Sequence, residues 1–221
     1  MSLALPFTAT SALAQTSQPS AKATAKTSAI TLLETTATSD WTTVLSNQIK
    51  TSNQKDLFVG VSLEVGLYTQ TLVKSKNMQN DSSTANGVVQ VRVLVDGTAI
   101  EPGAVVFGRR SQTLNATLEG AIADCLTIVT NPDGSQSIIL DEECVVPEEI
   151  ELILETMDAA SFNFVAPDVP QGVHTVSVQA RIDTTGSSNQ GSFEATATVG
   201  KGSMTVESVR LIKGEDVVEV Q

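Results

Sequence analysis

The sequence predicts a mainly-β chain folded as an antiparallel sandwich, and three observations predict it. Apolar residues recur with period two over long stretches, turn residues separate those stretches, and only one segment carries a helical period. Of the 221 residues, 41% are hydrophobic, enough for a packed core, and 17% are charged.

The elements follow in chain order. Residues 3–14, LALPFTATSALA, form an apolar run closing on Ala12-Leu13-Ala14, the form of the end of a secretory signal with an A-x-A cleavage site. The basic region of such a signal is missing, because no Lys or Arg precedes Lys22. Residues 1–14 are therefore read as a signal remnant, and the expected location is secreted, extracellular or at the cell surface. Residues 15–29, QTSQPSAKATAKTSA, are small and polar and read as a flexible linker, with one folded domain over 30–221. The segment ITLLETTATSDWTTVL at 30–45 reads as an edge strand or a detachable one. In the second case Ile30, Leu32, Leu33, Trp41, Val44 and Leu45 would complete a neighbour's sheet and give self-association.

In 57–67 every odd position is apolar, from Leu57 through Leu67, which predicts a long half-buried strand. In 88–95 Val89, Val91, Val93 and Val95 alternate with Gln90 and Arg92, and Asp96-Gly97 then gives a hairpin turn. Residues 104–109 are the expected return partner, and 111–118 read as another strand. Later strands are predicted at 161–166, 173–182, 192–199 and within 203–220, with 183–191 (DTTGSSNQG) as a loop. The exception is 147–157. Pro147-Glu148-Glu149 opens a run with Ile150, Ile153, Leu154 and Met157 at i, i+3, i+4 and i+7, which predicts one short amphipathic helix.

Cys125 and Cys144 are the only cysteines, and an even count in an exported chain predicts a disulfide. Between them Pro132-Asp133-Gly134 is a tight turn, with TIVT and SQSIIL as flanking strands. That register sets Leu140 opposite Cys125, so Cys144 must lie past the strand end, with Asp141–Glu143 turning back to meet it.

The formal net charge is −12, which argues against nucleic acid and anionic lipid as partners. No apolar run is long enough to span a bilayer as a helix. From Ser111 to Pro170 there is no Lys or Arg but twelve acids, leaving thirteen acids against thirteen bases elsewhere. The whole net charge thus belongs to an acidic hairpin-helix insertion at 119–158 and its neighbours. A solvated repulsive surface explains it. A calcium site at Asp133, Asp141, Glu142 and Glu143 is the competing reading, since calcium takes six to eight oxygens, and calcium is then the one cofactor considered. The loop lacks the D-x-D-x-D-G order of an EF-hand.

No catalytic constellation emerges. His174 is the only histidine and lies on the apolar register of its strand, which reads as a core or rim residue satisfied by backbone. No G-x-S-x-G elbow exists, and Gly200-Lys201-Gly202 lacks the glycine pattern and following helix of a phosphate loop.

The segments GVVQVRVLVDGTAIEPGAVVF (87–107) and SFNFVAPDVPQGVHTVSVQARI (161–182) resemble jelly-roll or immunoglobulin-like modules of secreted surface, filament and virion-appendage proteins. The resemblance lies in strand pattern and turn placement and implies a building block or adhesive unit whose partners are other proteins or further copies. The expected function is thus an exported, non-enzymatic structural or adhesive subunit of the cell surface, a filament or a matrix. The alternatives are a calcium- or glycan-binding module and a carboxylate-dependent hydrolase.

Overall fold

A computed structural model of the chain describes residues 23–28, 31–33, 40–120, 125–141 and 143–211. The described residues form twelve strands: β1 (Ala23–Ser28), β2 (Thr31–Leu33), β3 (Thr42–Thr51), β4 (Lys55–Ser75), β5 (Gln79–Val95), β6 (Thr98–Ala99), β7 (Val105–Leu118), β8 (Leu126–Thr130), β9 (Gln136–Leu140), β10 (Glu148–Val169), β11 (Gly172–Ser188) and β12 (Ser192–Val209). The described residues contain no helix.

One sheet runs β1-β12-β4-β10, with β2 also on β12. The second runs β3-β11-β5, with β6 and β7 both on the far side of β5, and β8–β9 is a separate ribbon. The topology becomes clear when the eight main strands (β1, β3, β4, β5, β7, β10, β11, β12) are taken in chain order. First pairs with eighth, second with seventh, third with sixth and fourth with fifth, all antiparallel. The chain is one long hairpin folded at its midpoint and rolled into two facing sheets. That is a jelly roll, and it decides between the two sandwich topologies the sequence left open.

Alternation builds the core. Val59, Val61 and Leu63 of β4 meet Val89, Val91 and Val93 of β5 and Val176 and Val178 of β11, all essentially inaccessible. Phe164 of β10 and Met204 of β12 close the same layer. The turn at Asp96-Gly97 follows its sequence cue, with φ of 50° and 84°, as a hairpin turn with two left-handed residues requires.

The strands are far longer than the usual five or six residues or so, β4 having 21 and β10 having 22. Along this length the interior changes character. Beyond Leu67 it is lined by Thr69, Thr71, Ser75, Asp81, Ser83 and Gln112, all buried. These polar groups are matched. Gln112 accepts from Thr69 Oγ1 at 2.6 Å and donates to Thr71 Oγ1 and to the Leu152 carbonyl, both at 2.7 Å. Asp81 accepts from the Lys74, Ser82 and Gln190 amides. A buried polar layer is tolerated because each member has a partner. Here the β11–β12 turn passes so close to β4 that a Cβ on Gly191 would lie 1.7 Å from the Leu72 carbonyl oxygen.

Several expectations are corrected. Residues 147–157 form no helix: Glu148 onward is strand, paired residue for residue with β4. The i, i+3, i+4, i+7 spacing coexists with a period-two row, Ile150, Leu152 and Leu154, and the long template of β4 selects that row. Residues 104–109 and 111–118 are one strand, β7, with a register shift opposite Val89/Gln90. The loop expected at 183–191 is strand as far as Ser188, because β5 continues alongside it as partner. The strand expected at 161–166 is the end of β10, and those at 192–199 and from 203 are one strand, β12. Strand β1 lies within the stretch read as a linker. It pairs with β12 through its backbone and has no apolar period to reveal it. The signal-remnant residues 1–14 lie outside the described residues.

Candidate functional site

Among the described residues seventeen large apolar side chains are exposed, and twelve of them fall between Leu126 and Met157. This is also the acidic, base-free stretch of the chain. Two structures carry it.

The first is the β8–β9 hairpin. Leu126 pairs with Leu140 and Ile128 with Ile138, which places four aliphatic side chains on one face of the ribbon. Ile128 is 64% and Ile138 69% exposed. Neither strand packs substantially on any other element, so the hairpin is an arm. Its root is fixed. Cys125 and Cys144 form a disulfide with Cα atoms 5.4 Å apart. The Asp141 amide donates to the Cys125 carbonyl at 2.9 Å, and Lys76 Nζ donates to the Val145 carbonyl at 3.2 Å. The register is one residue from the sequence reading, with Asp141 rather than Leu140 opposite Cys125. Cys144 lies beyond the strand end as expected, closing a turn onto Asp141. At the tip Asp133 Oδ1 accepts from the Ser135 hydroxyl and amide at 2.6 and 2.9 Å, and these bonds hold its carboxyl below the ordinary value.

The second is β10, the last strand of its sheet, paired on one side with β4. Among the described residues its other edge is met only at Val165, whose amide donates to the Glu101 carbonyl at 2.9 Å. Ile150, Leu152 and Leu154 oppose Val73, Thr71 and Thr69 and so face between the sheets, yet each remains about 40% exposed. The strand across from them, β7, offers polar side chains there. Arg110 donates to the Leu67 and Leu154 carbonyls at 3.0 and 2.8 Å and to Thr156 Oγ1, and Gln112 reaches Leu152. The opposite face of β10 alternates Glu149, Glu151 and Glu155 with Ile153 and Met157. Glu149 pairs with Lys74, and Glu151 accepts from Gln70. Edge strands normally carry charge to prevent pairing. This one carries both charge and a continuous aliphatic row.

The structure does not bring the calcium candidates together. Asp133 sits at the tip of the arm and Asp141 and Glu143 at its root, separated by the length of β9, roughly 17 Å. Glu142 lies outside the described residues. Among the described residues no group of three or more His, Cys, Asp or Glu side chains is placed to hold a metal ion. The self-assembly candidates divide between the sheets. Leu32 and Leu33 lie on β2, paired with β12 of the same chain. Val44 and Leu45 are buried on β3, the edge of the second sheet. Trp41 lies just before β3, its ring beneath the guanidinium groups of Arg92 at 4.2 Å and Arg181 at 4.8 Å. Ile30 lies outside the described residues.

His174 is buried, with Nδ1 2.7 Å from Asp96 Oδ2 and Nε2 2.8 Å from the Pro170 carbonyl oxygen. The second nitrogen is occupied by backbone, so the pair clasps two turns together rather than presenting a base. What sequence reasoning missed is the surface itself. The row Ile150, Leu152, Leu154 has period two, but the helical spacing of Ile150, Ile153, Leu154 and Met157 overlaps and masks it.

No protein-family model matches this chain, and no curated protein matches it. Among solved structures, a chain of the T13 particle of infectious bursal disease virus aligns at 13% identity and a TM-score of 0.24, covering 86% of this chain and 40% of that one. A chain of the Gx strain of the same virus aligns at 11% identity and 0.16, covering 86% and 42%. This chain thus spans about two-fifths of the length of either, and both scores are far below those of a shared global fold.

Proposed function

We propose that this chain is an exported, non-catalytic structural subunit that self-associates at the cell surface or in an extracellular assembly. The observation carrying this reading is the concentration of exposed aliphatic side chains on the β8–β9 arm and the β10 edge. Singly exposed apolar residues are ordinary, but a clustered set marks an interaction surface. The disulfide at the arm's root supports an oxidising destination, where such bonds persist. No helix among the described residues is long and apolar enough to cross a membrane. Jelly rolls serve shells, lectins and enzymes alike, so the fold alone assigns no role and the surface carries the proposal.

Size-exclusion chromatography with light scattering on the full chain, from nanomolar to high micromolar concentration, tests it, with negative-stain microscopy of the largest species. A concentration-dependent dimer or higher assembly is expected. A strict monomer throughout that range would overturn the reading.

A further inference from the structure

Resting on the self-association proposed above, we infer which surfaces meet: the β8–β9 arm of one copy docks along the free β10 edge of a second copy, reciprocally across a two-fold axis.

Three observations lead there. An isolated two-stranded ribbon is marginal in water, and among the described residues this arm packs substantially on no other element of its own chain. It is held out by the disulfide with its four-residue aliphatic face uncovered. The edge of β10 is the complementary deficit, a strand paired along its length on one side only among the described residues, whose inward row Ile150, Leu152, Leu154 stays about 40% exposed. Both rows repeat every second residue, so an arm strand laid beside β10 would continue one apolar row across the joint while satisfying free backbone groups of the edge.

Charge selects this pairing over the alternative. The ten strand residues of the arm, LTIVT and QSIIL, carry no charge. Residues 148–158 of β10 carry Glu148, Glu149, Glu151, Glu155 and Asp158. Antiparallel pairing of β10 with its own copy would crowd these carboxylates together, which like-charge opposition disfavours. The uncharged strands of the arm, whose carboxylates sit only at its tip and root, meet no such row of like charges. The area is of the right order too. Half-exposed aliphatics present roughly 50 Å² each, so the seven that face the joint supply on the order of 350 Å² of apolar area per copy, enough for the apolar centre of a standard interface of ~800 Å² per partner. Exchanged reciprocally, one arm and one edge per copy give two identical contacts about a two-fold axis, the self-complementary arrangement of an isologous dimer.

Complementation tests the inference. The arm variant is Ile128→Asp with Ile138→Asp, and the edge variant is Leu152→Asp with Leu154→Asp. Circular dichroism confirms the strand content of each, and Leu152→Thr with Leu154→Thr replaces the edge variant if that one unfolds. Each variant alone is expected to raise the concentration at half-assembly by at least roughly tenfold, because burying unpaired carboxylates disfavours the contact. Mixed together, an intact edge meets an intact arm, and a heterodimer with one of the two contacts is expected to reappear. If the wild type assembles but neither variant weakens it, or if folded variants fail to complement, the inference falls while self-association stands. A monomeric wild type overturns both.

Discussion

Cys125 and Cys144 are bonded across the root of the β8–β9 arm, while the residues from Leu126 to Leu140 pack chiefly on one another. The closed loop therefore contains the arm and none of the sandwich. A crosslink across a loop of this length contributes roughly 3 kcal/mol in the chain-entropy account, and here that contribution belongs to the arm. The double variant Cys125→Ser, Cys144→Ser is expected to shift the main urea transition by less than about 1 kcal/mol. Protease cleavage within 126–140 is expected to accelerate sharply and assembly to weaken. A large loss in the main transition would show that the arm is integral to the core.

Gln112 joins the two sheets where the interior is polar, bonding Thr69, Thr71 and the Leu152 carbonyl from a position 4% exposed. Gln112→Ala removes all three bonds and leaves buried hydroxyls without that partner, at about 1–3 kcal/mol per stranded group. The expected loss in urea denaturation is about 2–4 kcal/mol, reduced where hydroxyls turn to backbone acceptors. A change within ~0.5 kcal/mol would mean that water already serves this layer.

Asp96 couples the β5–β6 turn to β11. Its carboxylate receives the Thr175 amide at 2.8 Å and lies 2.7 Å from His174 Nδ1. Partial burial pushes its pKa up, but the bonds from His174 and Thr175 and the charge of His174 together hold it below the ordinary value. A carboxyl depressed on folding stabilises the protein fully above its unfolded pKa, about 3.9, and that contribution is lost as pH falls through the folded value. The wild type is therefore expected to exceed Asp96→Asn in urea midpoint at pH 7, with the gap closing in the acid range below pH ~4. A gap that persists unchanged at pH 3 or so would show that it does not arise from ionisation of this carboxyl.

Trp41 lies under two guanidinium groups that also hydrogen-bond across the strands, Arg92 to Gln179 and Arg181 to Gln90. Partial burial and then the neighbouring Arg181 lower the Arg92 pKa, so the ring's negative face offsets a crowded pair of like charges. A double-mutant cycle on Trp41→Leu and Arg92→Met is expected to give a coupling of about 0.5–1 kcal/mol. Because Trp41 is the only tryptophan, its emission reports the stack, and Arg92→Met should change the spectrum without unfolding the chain. Zero coupling would reduce the stack to proximity.

Legibility in the sequence tracked how local the deciding physics was. The valine alternations of β4 and β5 announced themselves because side-chain direction repeats within each strand. The Asp96-Gly97 turn and the β8–β9 hairpin were equally legible, since a turn is settled by a few adjacent residues. Residues 148–157 were not. Ile150, Leu152, Ile153, Leu154 and Met157 satisfy both periods, and the decision came from β4, more than seventy residues away in sequence for most pairs. The apolar surface is hidden for the same reason, because a helical period assigns those aliphatics to one buried helix face rather than to an exposed strand row.

By itself the sequence determined the fold class, the chief core strands, the cysteine pair and the segregation of negative charge, because each follows from composition or from side-chain direction along a single strand. The tertiary structure decided the jelly-roll pairing of first strand with eighth, the polar layer around Gln112, and the uncovered rows on the arm and on β10. Those depend on which strand lies beside which, and on where a sheet of the described residues ends.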